Sequence, residues 1–299
     1  MWRCNSFYPH QFNTKHYLVR NKHEKLNHVT GKSLLVFLLC LTASASFAQQ
    51  TLDSVSVVKS LKNIPNFTIN KDNYFLTGSK LGLNLDNINA DAKLQVSFKM
   101  RLHKNAMPFN TFLFFVYTQK SFWNIYLDSS PFVETNYNPS LSLARSMFRH
   151  KKLNGVLATQ LEHESNGMGG IESRSWNCFS VSYFGVPGKK LRYFVKAWAP
   201  FLYSDNKDLM EYIGYSEARL TWVTRNGRLI FDLAFRKAPA VDWRGNLQLE
   251  CSWQPFKLET FHLFAQWWEG YSESLLHYQE STSRVRIGIV FKPSYFTFY

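Results

Sequence analysis

Hydrophobic and polar residues alternate strictly through most of the second two-thirds of the chain. Leu94, Val96, Phe98, Met100 and Leu102 interleave with Gln95, Ser97, Lys99 and Arg101. A run of this kind, at 180° per residue, predicts a strand with unlike faces. The pattern recurs at Leu191–Ala197, Leu229–Arg236, Leu247–Gln254, Phe261–Trp267 and Val285–Lys292. Thr111–Gln119, Ser140–Phe148, Val156–Glu164, Trp176–Phe184 and Tyr212–Trp222 carry it more weakly. No stretch of helical period competes. These eleven segments predict an all-β, antiparallel fold. Residues 49–92 show no sustained alternation and are expected to form a periplasmic segment or partial plug, leaving 93–299 for the sheet.

Alternation suits a soluble sandwich or a membrane barrel, and the connections separate the two. Gly185–Lys190, Arg225–Arg228 (with Asn226-Gly227, a hairpin turn) and Gln254–Lys257 are short. Ser165–Ser175, Phe201–Glu211, Lys237–Asn246 and Gly270–Ser283 are long. Short turns on one rim and long loops on the other mark a transmembrane β-barrel. Single-chain bacterial barrels have an even number of strands, so about twelve are expected, one of them unread.

The N-terminus agrees with export. Arg3, Lys15, Arg20, Lys22, Lys25 and Lys32 precede an apolar run, Leu34 to Leu41, and then Thr42-Ala43-Ser44-Ala45-Ser46-Phe47-Ala48. A basic region, a short apolar run and small residues form a signal peptide, expected to span 1–48. With the barrel pattern, it makes an outer membrane the expected destination. The formal charge of +14 falls to +9 without that segment, which suits acidic headgroups or simply a solvated basic surface. Charged residues are only 19% and aromatics 17%, so disorder is excluded. Beyond the first fifty residues no apolar stretch is long enough for a membrane helix. Four cysteines, at 4, 40, 178 and 251, give neither CxxC nor zinc spacing, and Cys178 and Cys251 lie on opposite faces of separate strands.

The chemistry concentrates in Leu161-Glu162-His163-Glu164-Ser165-Asn166-Gly167 and Ser173-Arg174-Ser175-Trp176-Asn177. His163 and Ser165 share a strand face with Leu157 and Leu161, roughly 6–7 Å apart along the strand. Asn177 shares its face with Phe179, Val181 and Tyr183 on the next strand. Three polar groups thus fall on the lipid side near one rim, where a polar group is costly without a partner or a purpose. Serine, histidine and amide fit nucleophile, general base and base-orienter, with Asn177 accepting the imidazole N–H in place of a carboxylate. The bland alternative is an interfacial histidine beside a Ser165-Asn166-Gly167 loop start. Gln119 shares parity with Leu113, Phe115 and Tyr117 and also points toward lipid.

At these residues the chain resembles the outer membrane phospholipase A family, twelve-stranded barrels of Gram-negative bacteria. The resemblance rests on Tyr117-Thr118-Gln119-Lys120-Ser121-Phe122-Trp123, on Ser129-Ser130-Pro131-Phe132-Val133-Glu134-Thr135-Asn136-Tyr137-Asn138-Pro139, and on the two segments around His163 and Asn177. Tyr271-Ser272-Glu273-Ser274-Leu275 matches more weakly, and the resemblance spans roughly 70–292. It implies a calcium-dependent hydrolase of phospholipid and lysophospholipid acyl esters, activated by dimerisation. His163 matches the base, Ser165 the nucleophile and Asn177 the third member. The calcium ligands map onto Ser129 from the partner subunit, the Met168 carbonyl and Ser173, with Asp205 a further calcium-site acid. Gln119 matches a residue that hydrogen-bonds across the dimer. The family usually carries Arg at position 168 and a more polar pair, including an acid, where Gly169-Gly170 stand. A lipid A deacylase would pair His-x-Ser with a carboxylate, and a pore or scaffold would not need this trio on its lipid side. Asn177 and Ser130-Pro131-Phe132 favour the phospholipase.

Overall fold

The computed structural model describes residues 65–83, 86–188, 190–203, 206–239, 242–256 and 260–292. The expected signal peptide lies outside these residues. Thirteen strands follow in chain order: β1 (Phe67–Ile69), β2 (Asn73–Lys80), β3 (Ala90–Arg101), β4 (Phe112–Trp123), β5 (Phe132–Arg149), β6 (Lys152–Ser165), β7 (Ser175–Gly185), β8 (Leu191–Phe201), β9 (Ser216–Val223), β10 (Leu229–Lys237), β11 (Gly245–Trp253), β12 (Phe261–Gly270) and β13 (Thr282–Phe291). Each strand from β2 to β13 pairs antiparallel with its neighbours, and β13 pairs with β2, closing a twelve-stranded barrel. β1 is a short addition against the far end of β3. The described helices are short, α1 (Met210–Ile213) being the one α-helical segment among them. No described helix could cross a membrane, and the barrel would cross with its strands.

Burial settles which face is which. Phe75, Val96, Leu161, Phe179 and Ile287 are exposed on the outer wall, whereas Lys93, Ser97, Glu162, Asp232, Glu250, Gln266 and Arg286 are buried inside. A soluble sandwich would bury the first set and expose the second. Several interior charges are paired: Glu162 with Lys196, Arg219 with Glu250, Arg236 with Glu217, and Lys292 with Asp72 and Asp232. Pairing is what permits charges away from bulk water.

The expectation of a plug or periplasmic segment at 49–92 is corrected where the structure describes it. β2 and the start of β3 are wall. β2 is hard to read because its inward residues Tyr74 and Leu76 are themselves apolar, packing with Phe264 and Val290. With Phe75 outside, its two faces lack the contrast that marks the other strands. The strand expected over Tyr212–Trp222 begins at Ser216 instead, because Met210 and Ile213 of α1 turn inward against Trp176 and Trp198.

Residues 206–215 and 271–281 fold over the lumen at the rim that also carries loops 124–131 and 166–174. Leu209, Met210, Ile213, Leu275 and Tyr278 form an apolar cluster with Trp176, Cys178 and Trp198. Glu273 descends from the last loop to pair with Lys93 and Arg286. β7 and β8 are therefore backed by packed side chains. Cys178 and Cys251 are both free thiols, on the inner and outer faces read from the sequence.

Candidate active site

His163 and Asn177 are direct partners in the β6–β7 ladder, and Ser165 stands opposite Ser175 two positions along. The three side chains are half-buried on the outer wall. His163 Nδ1 lies 3.0 Å from Asn177 Oδ1. An amide oxygen only accepts, so Nδ1 is the donor in this contact, and in the neutral imidazole Nε2 is then the acceptor. The amide's other arm, Nδ2, donates to the Leu202 carbonyl at 3.3 Å.

His163 is also held from behind. Pro139 of β5 falls opposite His163 in the register set by Tyr137↔Ser165 and Ser140↔Glu162. Proline has no N–H to offer the His163 carbonyl. The Asn138 side chain supplies the missing donor, 2.9 Å from His163 O. Asn138 was not singled out from sequence as a site residue, although an Asn-Pro pair inside a strand was a visible signal. On the lumen side Glu162 accepts from Ser180 and Lys196, and Trp176 Nε1 donates to Glu164 at 3.1 Å.

Beyond Ser165 the chain enters a loop organised by Asn166, which is 3% exposed. Its Oδ1 accepts from the Met168 and Arg174 amides at 3.2 and 3.0 Å, and its Nδ2 donates to Glu172 O at 2.7 Å. Gly167 sits at φ +68° with the Tyr137 ring against the place of a Cβ, so any side chain there would be strained. Met168 and Ser173 thus share one loop whose conformation is fixed by a buried amide. Arg174 lies 5.8 Å from the centre of the Tyr278 ring, and the Tyr278 hydroxyl donates to Asp208 at 2.5 Å.

Ser129 stands apart from this loop in one chain. It is exposed in turn 124–131, at φ +64°, on the same rim but between β4 and β5. Asp205 lies outside the described residues. Gln119 is half-buried on the outer wall of β4; it accepts from the Tyr117 hydroxyl at 2.9 Å and donates to Ser121 at 3.3 Å. Among the described residues no three His, Cys, Asp or Glu side chains gather as a metal site. The ligand set that the family resemblance implies is hydroxyl, carbonyl and carboxylate oxygen, which matches a hard cation in type. Gly169 and Gly170 bring no charge to it.

Fold and site together define an outer-membrane-type β-barrel hydrolase with its histidine, serine and amide on the external wall. The chain belongs to the phospholipase A1 family: the family model described as Phospholipase A1 matches residues 51–291. The phospholipase A1 of Escherichia coli K12 is 30% identical over 210 residues, covering 67% of this chain and 69% of that one. A relative from Neisseria meningitidis serogroup B is 29% identical over 219 residues, 68% of this chain but only 54% of its own length. Among solved structures, outer membrane phospholipase A from E. coli superposes with a TM-score of 0.68 at 25% identity, covering 76% of this chain and 99% of that chain. The calcium-bound dimer of the Salmonella typhi outer membrane phospholipase has a TM-score of 0.69 at 24% identity, over 81% of this chain and 98% of its own.

Proposed function

We propose that this protein hydrolyses acyl esters of phospholipids and lysophospholipids in the outer membrane, with Ser165 as nucleophile, His163 as general base and Asn177 as its orienter. The observation that carries the reading is the 3.0 Å His163–Asn177 contact on the lipid-facing wall, with Ser165 on the same strand face. His163 Nε2 takes the Ser165 hydroxyl proton as Oγ bonds to the ester carbonyl carbon. The tetrahedral adduct then expels the lysolipid or glycerol alkoxide, which receives that proton from His163. Water, deprotonated by the same nitrogen, hydrolyses the acyl-serine, releases the fatty acid and restores Ser165.

Calcium belongs to the proposal. The Met168 carbonyl and the Ser173 hydroxyl would hold it together with Ser129 of the partner subunit, and Asp205 is the further acid. When bound, the ion supplies positive charge for a developing oxyanion. Calcium usually takes six to eight oxygens, so one protomer's share is too small to compete with water. Dimerisation would complete the set, which keeps a hydrolase embedded in its substrate inactive as a monomer. Gln119, on the outer wall, is the proposed polar contact between protomers. Export by a signal peptide over residues 1–48 is part of the same reading.

Two alternatives are less well supported. A lipid A deacylase would orient its histidine with a carboxylate, and the group facing His163 is an amide. A pore would not need a histidine, serine and amide on its outer wall, and here Glu273 of the last loop enters the lumen to pair with Lys93 and Arg286. The test is fatty-acid release from phospholipid micelles by refolded protein with and without a calcium chelator. Release that stops on chelation supports the reading, and equal release in both contradicts the calcium requirement.

A further inference from the structure

We infer that the backbone carbonyl of Leu202 is a fourth member of the array, a positioning group that orients the Asn177 amide and thereby sets the tautomer of His163. The inference rests on the assignment of His163, Ser165 and Asn177 as the triad.

Leu202 is the first residue past β8. The neighbouring Phe201 pairs with Asn177 across the β7–β8 ladder, so Leu202 leaves the sheet beside the amide. Its φ is +50°, in the left-handed region that a leucine rarely occupies. The side chain does not account for that conformation, because it is 76% exposed. The backbone turn does have a product: it presents the Leu202 carbonyl to Asn177 Nδ2 at 3.3 Å. Unfavourable backbone conformations persist where the surroundings require them, and sites of chemistry are where they gather.

The consequence follows from donor and acceptor inventory. A carbonyl only accepts, so the Asn177 arm facing Leu202 must be the NH2 group, and the oxygen must face His163. That oxygen also only accepts, so His163 carries its proton on Nδ1 and leaves Nε2 able to take the serine proton. A flipped amide would set Oδ1 against the Leu202 carbonyl, acceptor against acceptor. It would also turn Nδ2 toward Nδ1, driving the proton to Nε2, the wrong nitrogen for a base. An aspartate orienter needs no such device, since both of its oxygens accept. An asparagine orienter does, and Leu202 supplies it.

The test is a backbone series at 202 crossed with position 177, in the full-length refolded protein. Glycine adopts positive φ freely, so Leu202→Gly should lower kcat less than a residue that opposes positive φ. Proline is locked near φ −65°, so Leu202→Pro should lower kcat roughly tenfold with KM unchanged. It should also shift the acid limb of the pH–kcat/KM profile as far, and in the same direction, as Asn177→Ala does. In the Asn177→Ala background Leu202→Pro should have no further effect. Wild-type kcat and pH profile in Leu202→Pro, or the same loss again on top of Asn177→Ala, would overturn the inference while leaving the triad standing. Full activity in Asn177→Ala alone would remove the triad reading as well. Should Leu202→Pro fail to give a heat-modifiable barrel, Leu202→Val, whose β-branch also opposes positive φ, carries the same comparison with the same outcomes.

Discussion

His163 and Asn177 face each other across the β6–β7 ladder, with imidazole Nδ1 3.0 Å from amide Oδ1. The β-ladder, not a loop, fixes that separation, so the Asn177 side chain can be removed without releasing His163 from its strand. Asn177→Ala should therefore lower kcat by one to two orders of magnitude, with KM nearly unchanged and the barrel intact. Steady-state kinetics on micellar phospholipid and heat-dependent gel mobility check both halves. A large KM effect would point to a substrate-binding role.

Asn138 substitutes for a backbone donor that Pro139 lacks. Asn138→Ala should leave the His163 carbonyl without a partner, destabilising the barrel by about 1–2 kcal/mol and reducing kcat several-fold. The double variant Asn138→Ala, Pro139→Ala restores a backbone N–H opposite His163 and should recover much of the loss. Denaturant midpoints for the two variants decide it; no recovery would mean the side chain acts elsewhere.

The eleven alternating segments were legible because lipid and lumen demand opposite residues on the two faces of a strand. The parity that placed His163, Ser165 and Asn177 on one wall came from the same rule. β2 was not legible, because Tyr74 and Leu76 meet Phe264 and Val290 inside the barrel and erase the contrast. The Leu202 carbonyl was not legible at all: a backbone acceptor has no residue signature, and its direction depends on the local φ and ψ. Asn138 falls between, since a proline inside a strand announces a missing donor but not who replaces it.

Glu273 anchors the loop that closes the site rim. Burial alone would raise its pKa, but the Arg286 and Lys93 charges beside it outweigh burial and hold the carboxyl far below the usual carboxylate range. A depressed acid contributes stability that is fully present above its unfolded pKa of about 4.3 and is lost only as pH falls toward the folded value. The wild-type barrel should thus keep this lock well below pH 4. Glu273→Gln leaves two buried cations short of a counter-charge and should cost about 3–5 kcal/mol at neutral pH. Unfolding followed across pH would show the difference between the two proteins shrinking only in strong acid. A difference that vanishes near pH 4.5 would contradict the depressed carboxyl.

Gly170 lies in the loop of Met168 and Ser173, with φ +62° and open space where a side chain would stand. Aspartate tolerates that backbone region better than most residues. Gly170→Asp should add a carboxylate beside Met168 and Ser173 and lower the calcium concentration for half-maximal activity several-fold, while Ser173→Ala should raise it. Activity titrated with buffered calcium checks both. Identical titration curves for all three proteins would place the ion elsewhere.

The central claim, that Ser165 is the nucleophile of a phospholipid ester hydrolase, is tested most directly by fatty-acid release. Wild type and Ser165→Ala, each refolded to a heat-modifiable barrel, are given phospholipid in mixed micelles with calcium. Wild type should release fatty acid continuously, and Ser165→Ala should release none above the rate without protein. Ser165→Ala releasing fatty acid at the wild-type rate, or a folded wild-type barrel releasing none with calcium present, would contradict the account.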